Sequence, residues 1–247
     1  MLAFDQWCHV QLAQLHVWEV YLLAVLAFSG LYFGSAGLMQ GVIRWAQRRQ
    51  VGAVVTPSLP RSGQVREEIR HSLLSIQVFA LQGVGLWWLL QHGYLSAAPL
   101  TSTTAWVLQV VVLFAFNEVH FYLAHRGLHH PWWLRRVHGV HHRSRIPTPY
   151  ATYAFHWGEA ALLGSVMPLA LLVYPFALSS LLVLPLLSIV INVQGHCNYT
   201  LFPGAQRGAL RGYVQHHQAH HEKLRGNFGF ALPWLDQWLG TALRSGQ

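Results

Sequence analysis

Three short runs of histidine carry the chemistry that this sequence could do. His125 and His129 stand four apart in HRGLH, His138, His141 and His142 form HGVHH, and His217, His220 and His221 repeat that spacing in HQAHH. Residues 118–142 hold seven of the chain's 17 histidines and residues 215–221 another four, which chance scatter would not produce. Residues four apart on a helix share a face, so His125 and His129 make half of a metal site. In each triplet the spacing predicts an i, i+3 pair on one face and the next histidine turned aside, so one triplet can feed two neighbouring ions. These eight residues, with His196 as a ninth, exceed what one four- to six-coordinate ion uses. Two ions are the natural count.

Ligand type narrows the metal. Imidazole suits zinc, copper, iron and nickel, whereas structural zinc usually recruits thiolates as well. The two cysteines, Cys8 and Cys197, lie at opposite ends of the chain and form no CxxC pattern. The zinc-protease signature HExxH is absent, and no acidic residue stands inside a triplet as a ready general base. A histidine-rich pair of redox-active ions beside a lipid-filled cavity points to oxygen chemistry on an alkyl chain. Two alternatives are a zinc-dependent membrane lipid hydrolase and a non-enzymatic metal-binding or transport protein. A transporter needs polar groups at the bilayer midplane, and the apolar runs here contain almost none. A haem carrier needs well-separated histidine pairs rather than triplets. The lone histidines His9, His16, His71 and His92 read as interfacial or hydrogen-bonding residues, while His120, His130 and His216 adjoin the pattern but miss its spacing.

The elements that must position these residues are membrane helices. Of 247 residues 53% are hydrophobic and only 10% charged, a membrane profile. The formal charge of +8 does not indicate a nucleic-acid partner, because the cations flank long apolar runs instead of forming a stripe on a water-facing fold. The expected fold is all-α, a single polytopic membrane domain over residues 1–247 with four to five spans and a histidine-rich helical cap. Spans are expected at residues 16–39 and 71–91, and a third from residue 103 that leaves the membrane as the first histidine run. Residues 44–70 read as a polar loop, with room for a short surface helix. Residues 160–193, interrupted by Pro168, Pro175 and Pro185, read as a helical hairpin turning near Tyr174 and returning Gly195 and His196 to the face it left. No Lys or Arg precedes Arg44, so no cationic signal-peptide leader is expected and the first apolar segment is expected to be retained. Counting spans places all 16 cations on one side. The positive-inside rule then puts the histidine runs in the cytoplasm and the N-terminus on the opposite side.

The flanks of the histidine runs resemble those of the fatty acid hydroxylase/sterol desaturase superfamily of membrane di-iron enzymes, closest to its sterol desaturase-like members. EVHFYLAHR resembles the approach to the first histidine box, AFHWGEA the short segment after the second and GHCNY the lone histidine before the third. NFG at 227–229 and LDQWLGT at 235–241 resemble the C-terminal signature. The similarity covers about residues 111–242. It implies that His125, His129, His138, His141, His142, His217, His220 and His221 ligate two irons together with His196, and adds His156 as a candidate. It further implies an enzyme that uses O2 to hydroxylate or desaturate an unactivated C–H position of a sterol-like or acyl lipid. Glu118 and Tyr122 are the candidate catalytic residues. Glu118, Glu159, Asn192, Asn198 and Asp236 are placed to orient imidazoles. With no haem-attachment CxxCH, no GxGxxG and no redox domain, electrons are expected from a separate ferredoxin or cytochrome b5-like protein. Arg126, Arg135, Arg136, Arg143 and Arg145 would anchor anionic lipid or receive that donor. Three departures stand out: Glu118 sits where many relatives have aspartate, His130 and His216 are additional, and the early spans match only in hydropathy.

Overall fold

The computed structural model describes residues 1–205 and 210–243. The chain opens with helix α1 (Leu2–Gln14) and continues into α2 (Val17–Arg48), α3 (Gln64–Gln91) and α4 (Thr103–Leu128). Apart from one antiparallel pairing of two-residue strands, β1 (Ala53–Val54) with β2 (Tyr199–Thr200), every regular element among the described residues is helical. Local chemistry sets the starts. The His16 N–H donates to the Glu19 carboxylate at 2.7 Å before α2, and the Ser102 hydroxyl accepts from the Ala105 N–H at 3.0 Å to cap α4, giving partners to first-turn groups that otherwise have none. As expected, α4 starts apolar and runs unbroken through Glu118 and Tyr122 to His125. Pro131 then opens the short α5 (Pro131–Arg136).

The helical hairpin is also present. Its outward arm is split at Ser165 into α6 (Trp157–Gly164) and α7 (Val166–Val173), residues 174–177 make the turn, and α8 (Leu178–Gly195) returns with Pro185 inside it. Four helices, α2, α3, α4 and α8, are long and apolar enough to cross a membrane, and the chain forms a polytopic membrane helical bundle. Its large apolar side chains face outward: Leu38 is 72% exposed and Leu172 is 70% exposed, as a lipid solvent requires. Between α2, α3, α8 and a 3-10 turn at Pro149–Tyr153 lies a tight aromatic core of Tyr32, Ile76, Tyr153, Phe155 and Ile189. The Tyr32 hydroxyl donates to the Tyr150 carbonyl at 2.8 Å.

Two boundaries differ from the sequence reading. Residues 44–70 are not one loop, because α2 continues to Arg48 and α3 begins at Gln64. Their ends are amphipathic: Ile43 and Ala46 pack under Cys197 and Val214, and buried Gln64 donates to Glu68 at 2.7 Å and to the Ile146 carbonyl at 2.8 Å. The second difference is α1, whose buried Asp5 accepts from the Leu100 and Ser179 N–H groups, each at 2.9 Å. With the Ala98 N–H donating to the Pro175 carbonyl at 3.0 Å, α1, the α3–α4 loop and the hairpin turn close one end of the bundle. The nine clustered histidines occupy the other end, with every described Lys and Arg on the segments there. Arg207 and Arg244 lie outside the described residues.

Candidate metal centre

The first box ends α4 with His125, and His129 caps that helix. The second box lies on a 3-10 turn at His138–Arg143, His196 caps the returning arm of the hairpin, and the third box lies on α9 (Tyr213–Lys223). These elements bring nine histidines into two adjacent groups: His125, His129, His138, His142 and His220 in one, and His141, His196, His217 and His221 in the other. Within each group one ring nitrogen from each histidine lies within 4.8 Å of those of the others. Neighbouring Nε2 atoms are closer still. His142 Nε2 is 3.0 Å from His138 Nε2 and 3.1 Å from His220 Nε2, and His196 Nε2 is 3.1 Å from both His141 Nε2 and His217 Nε2. Two nitrogens each about 2.1 Å from a shared ion and at right angles would stand about 3.0 Å apart.

Each triplet serves both groups, as the spacing suggested, but the pair that stays together is i, i+4 rather than i, i+3. His217 and His221 face one centre and His220 the other; His138 and His142 face one and His141 the other. On α9 the reason is helical geometry, since residues four apart sit one turn above each other.

Hydrogen bonds at the far side of the rings fix the tautomers. A carbonyl can only accept, so Nδ1–H is the donor where His125 meets Phe228 O (2.9 Å), His129 meets Leu224 O (3.1 Å), His220 meets Gly226 O (2.7 Å) and His196 meets Asn192 O (2.7 Å). His138 Nδ1 bonds Glu159 Oε1 at 2.8 Å. Each of the four carbonyl-bonded rings therefore presents an unprotonated Nε2 to its cluster. Burial, reinforced by neighbouring imidazoles, drives His138, His141, His142, His217, His220 and His221 well below the ordinary histidine value, and burial brings His129 and His196 down to about 4. His129 and His220 both carry their protons on Nδ1, so their Nε2 lone pairs face one another at 3.2 Å and repel unless a cation lies between them. The donor set thus fits two metal ions, all nitrogen and without thiolate.

The remaining sequence candidates lie outside the two histidine groups. His156 joins neither group; its Nδ1 accepts from the Gly158 N–H at 3.1 Å and caps α6. Glu118 and Tyr122 form no hydrogen bond with a box histidine. Glu118 accepts the Ala231 and Leu232 N–H groups at 3.0–3.2 Å, and the Tyr122 hydroxyl pairs with Thr241 Oγ1 at 2.9 Å and Arg126 at 3.2 Å. Both hold the C-terminal segment against α4. Among the acidic and amide candidates, only the Glu159 side chain bonds a clustered imidazole. Asn192 contributes its carbonyl while its side chain donates to Thr152 O, Asn198 pairs with Thr56, and Asp236 reaches only the off-pattern His216, at 3.2 Å.

The sequence reading gave no role to the segment that orients the first group. Residues 224–228 offer three carbonyls to three of its histidines, and Asp236 holds that loop by accepting from the Phe228 N–H at 2.7 Å, the Gly229 N–H at 2.8 Å and Thr241 Oγ1 at 2.7 Å. Burial acts to raise the Asp236 carboxyl, yet hydrogen bonds from His216, Thr241 and Gly229 hold it below the ordinary value. Gly226 sits at φ +64°, where a Cβ would come 2.5 Å from Thr241 O. NFG and Asp236 were the visible signals, but backbone carbonyls have no sequence signature.

Comparison with known proteins agrees with this geometry. A Delta(7)-sterol 5(6)-desaturase of Aspergillus fumigatus is 37% identical over 46% of this chain and 34% of its own length. Human lathosterol oxidase is 30% identical over 67% of this chain and 57% of its own, and a rice very-long-chain aldehyde decarbonylase is 30% identical over 60% and 57%. The chain thus spans about a third to three fifths of the length of these relatives. No solved structure matches it significantly. The Fatty acid hydroxylase pattern matches residues 110–241, more than half of the chain and all nine clustered histidines, and the chain therefore belongs to the fatty acid hydroxylase family.

Proposed function

We propose that the chain is a membrane-bound non-haem di-iron oxidoreductase that uses O2 to oxidise an unactivated C–H position of a lipid. The observation that carries this reading is the convergence of nine neutral imidazoles into two adjacent all-nitrogen sets at one end of an apolar bundle. His125, His129, His138, His142 and His220 would hold one ion and His141, His196, His217 and His221 the other. When bound, the two irons supply the activation of dioxygen that an unactivated C–H bond demands.

The chain's own residues place and protect. Loop carbonyls and Glu159 keep protons on Nδ1 so that Nε2 faces the ions. Phe155 against His141 and Phe228 against His129 keep water from the rings, and the outward apolar faces admit substrate from the bilayer. Hydroxylation consumes one O2, two electrons and two protons and returns an alcohol and water; desaturation consumes the same and returns an alkene and two waters. A sterol-like lipid is the first substrate class to assay, since two of the relatives above are named for sterols. The histidine end faces the cytoplasm, where a separate ferredoxin or cytochrome b5-like protein supplies the electrons.

The test is lipid mass spectrometry of cells with and without the full chain, with iron content measured on the purified protein. A lipid that gains one oxygen or loses two hydrogens only in air is expected. His138→Ala and His220→Ala should each lose the product and the iron of the five-histidine centre. Full activity in either variant contradicts the proposal.

A further inference from the structure

Resting on that function, we infer that a cationic bowl beside His142 is where an acidic one-electron donor protein docks and delivers its electrons. The bowl, a cavity of about 540 Å³ open to solvent, is lined by Arg135, Arg136, Arg143 and Arg145 around His142, with Leu224 at its edge. All four arginines are exposed. None takes part in an ion pair among the described residues, although Arg136 stacks over Trp132 at 4.6 Å. Arg126, which the sequence grouped with them, turns instead to Tyr122. Lys223 and Arg225 flank Leu224 and extend the positive field.

Two features favour a donor protein over a lipid headgroup. The first is the position of His142: the residue lines the bowl while its Nε2 lies 3.0 Å from that of His138 inside the five-histidine group, so a single residue links the bowl to the centre. Other described cations on this end, such as Arg44 and Arg48 on α2, have no such link. The second is composition. Unpaired arginines beside apolar Leu134, Val140 and Leu224 suit a complementary acidic protein face with an apolar centre, an arrangement that speeds encounter and fixes orientation.

The experiment uses the full chain loaded with iron in neutral phosphatidylcholine nanodiscs, and follows anaerobic re-oxidation of two reduced probes, a [2Fe–2S] ferredoxin and the soluble domain of a cytochrome b5. The rate with at least one probe should fall steeply as salt rises, a measurement that needs no variant. Arg135→Glu/Arg136→Glu/Arg143→Glu/Arg145→Glu should slow that rate about tenfold or more at low salt, while iron content and reduction by dithionite stay unchanged. Arg44→Glu/Arg48→Glu should change neither. Should the glutamate variant not fold, the same four positions changed to Gln must flatten the salt dependence.

A rate within twofold of the parent in the folded variant, no salt dependence, or no re-oxidation of either probe by a chain that dithionite reduces would each overturn the inference. So would a defect that appears only when phosphatidylglycerol is added, which would make the bowl a lipid site. Electron transfer is read without product, so a chain that accepts electrons here yet oxidises no lipid would contradict the proposed activity and leave the docking site standing.

Discussion

The two histidine groups are built from the same residue type and share two of their three boxes, yet they are held differently. In the five-histidine group, four rings have Nδ1 tied to an acceptor, three of them by one loop and the fourth by Glu159. In the four-histidine group only His196 is tied in this way, to Asn192 O. The Nδ1 atoms of His217 and His221 have no acceptor among the described residues, and His141 has the Ala154 backbone nearby but out of hydrogen-bond geometry. A ring fixed at its far nitrogen needs no reorganisation when metal binds; a ring free to pivot does. The first group is therefore the more preorganised of the two and the second the more adjustable.

Removing a ligand has the largest expected effect. His220→Ala and His217→Ala should both abolish product, but each should first empty its own centre, leaving about one iron per chain in place of two. Loss of both irons from either variant would show that the centres do not load separately. Next comes Asp236, fully buried and central to the loop that orients His125, His129 and His220. Asp236→Ala should cost about 3–5 kcal/mol, the range for breaking a buried, hydrogen-bonded charge, and should lower iron in the five-histidine centre before the other. Thermal unfolding read beside iron content checks both.

Glu159→Ala strips His138 of its partner and should weaken metal binding about 10–100-fold, whereas Glu159→Gln keeps an acceptor and should lose less. Equal losses in the two variants would mean that charge rather than orientation is what Glu159 provides. The smallest effect belongs to Asn192→Ala. The carbonyl that holds His196 stays and only the side-chain bond to Thr152 O is lost, so stability should drop by about 0.5–1.5 kcal/mol with iron content unchanged.

Much of this was legible in the sequence because it rests on local rules. Apolar runs of span length, the prolines of the hairpin and the single-sided cations gave the bundle and placed the boxes at one end. The recurrence of HxxHH pointed to two histidine groups that share the triplets. What escaped depends on distant backbone. Asp5 reaches Leu100 and Ser179, and the 224–228 loop offers carbonyls that no residue type announces. Glu118 and Tyr122 share a face of α4 with His125, which made them candidates for chemistry. Which groups meet them there is decided by a segment more than a hundred positions away.

The central claim is a two-iron centre that spends dioxygen on a lipid C–H bond. Its most direct test is to purify the full chain in nanodiscs with bilayer lipid, count iron, reduce it chemically and admit isotopically heavy O2 once. The account predicts about two irons per chain, together with a lipid that has gained one heavy oxygen or lost two hydrogens. A zinc-filled protein, or a lipid cleaved equally well without dioxygen, would contradict it.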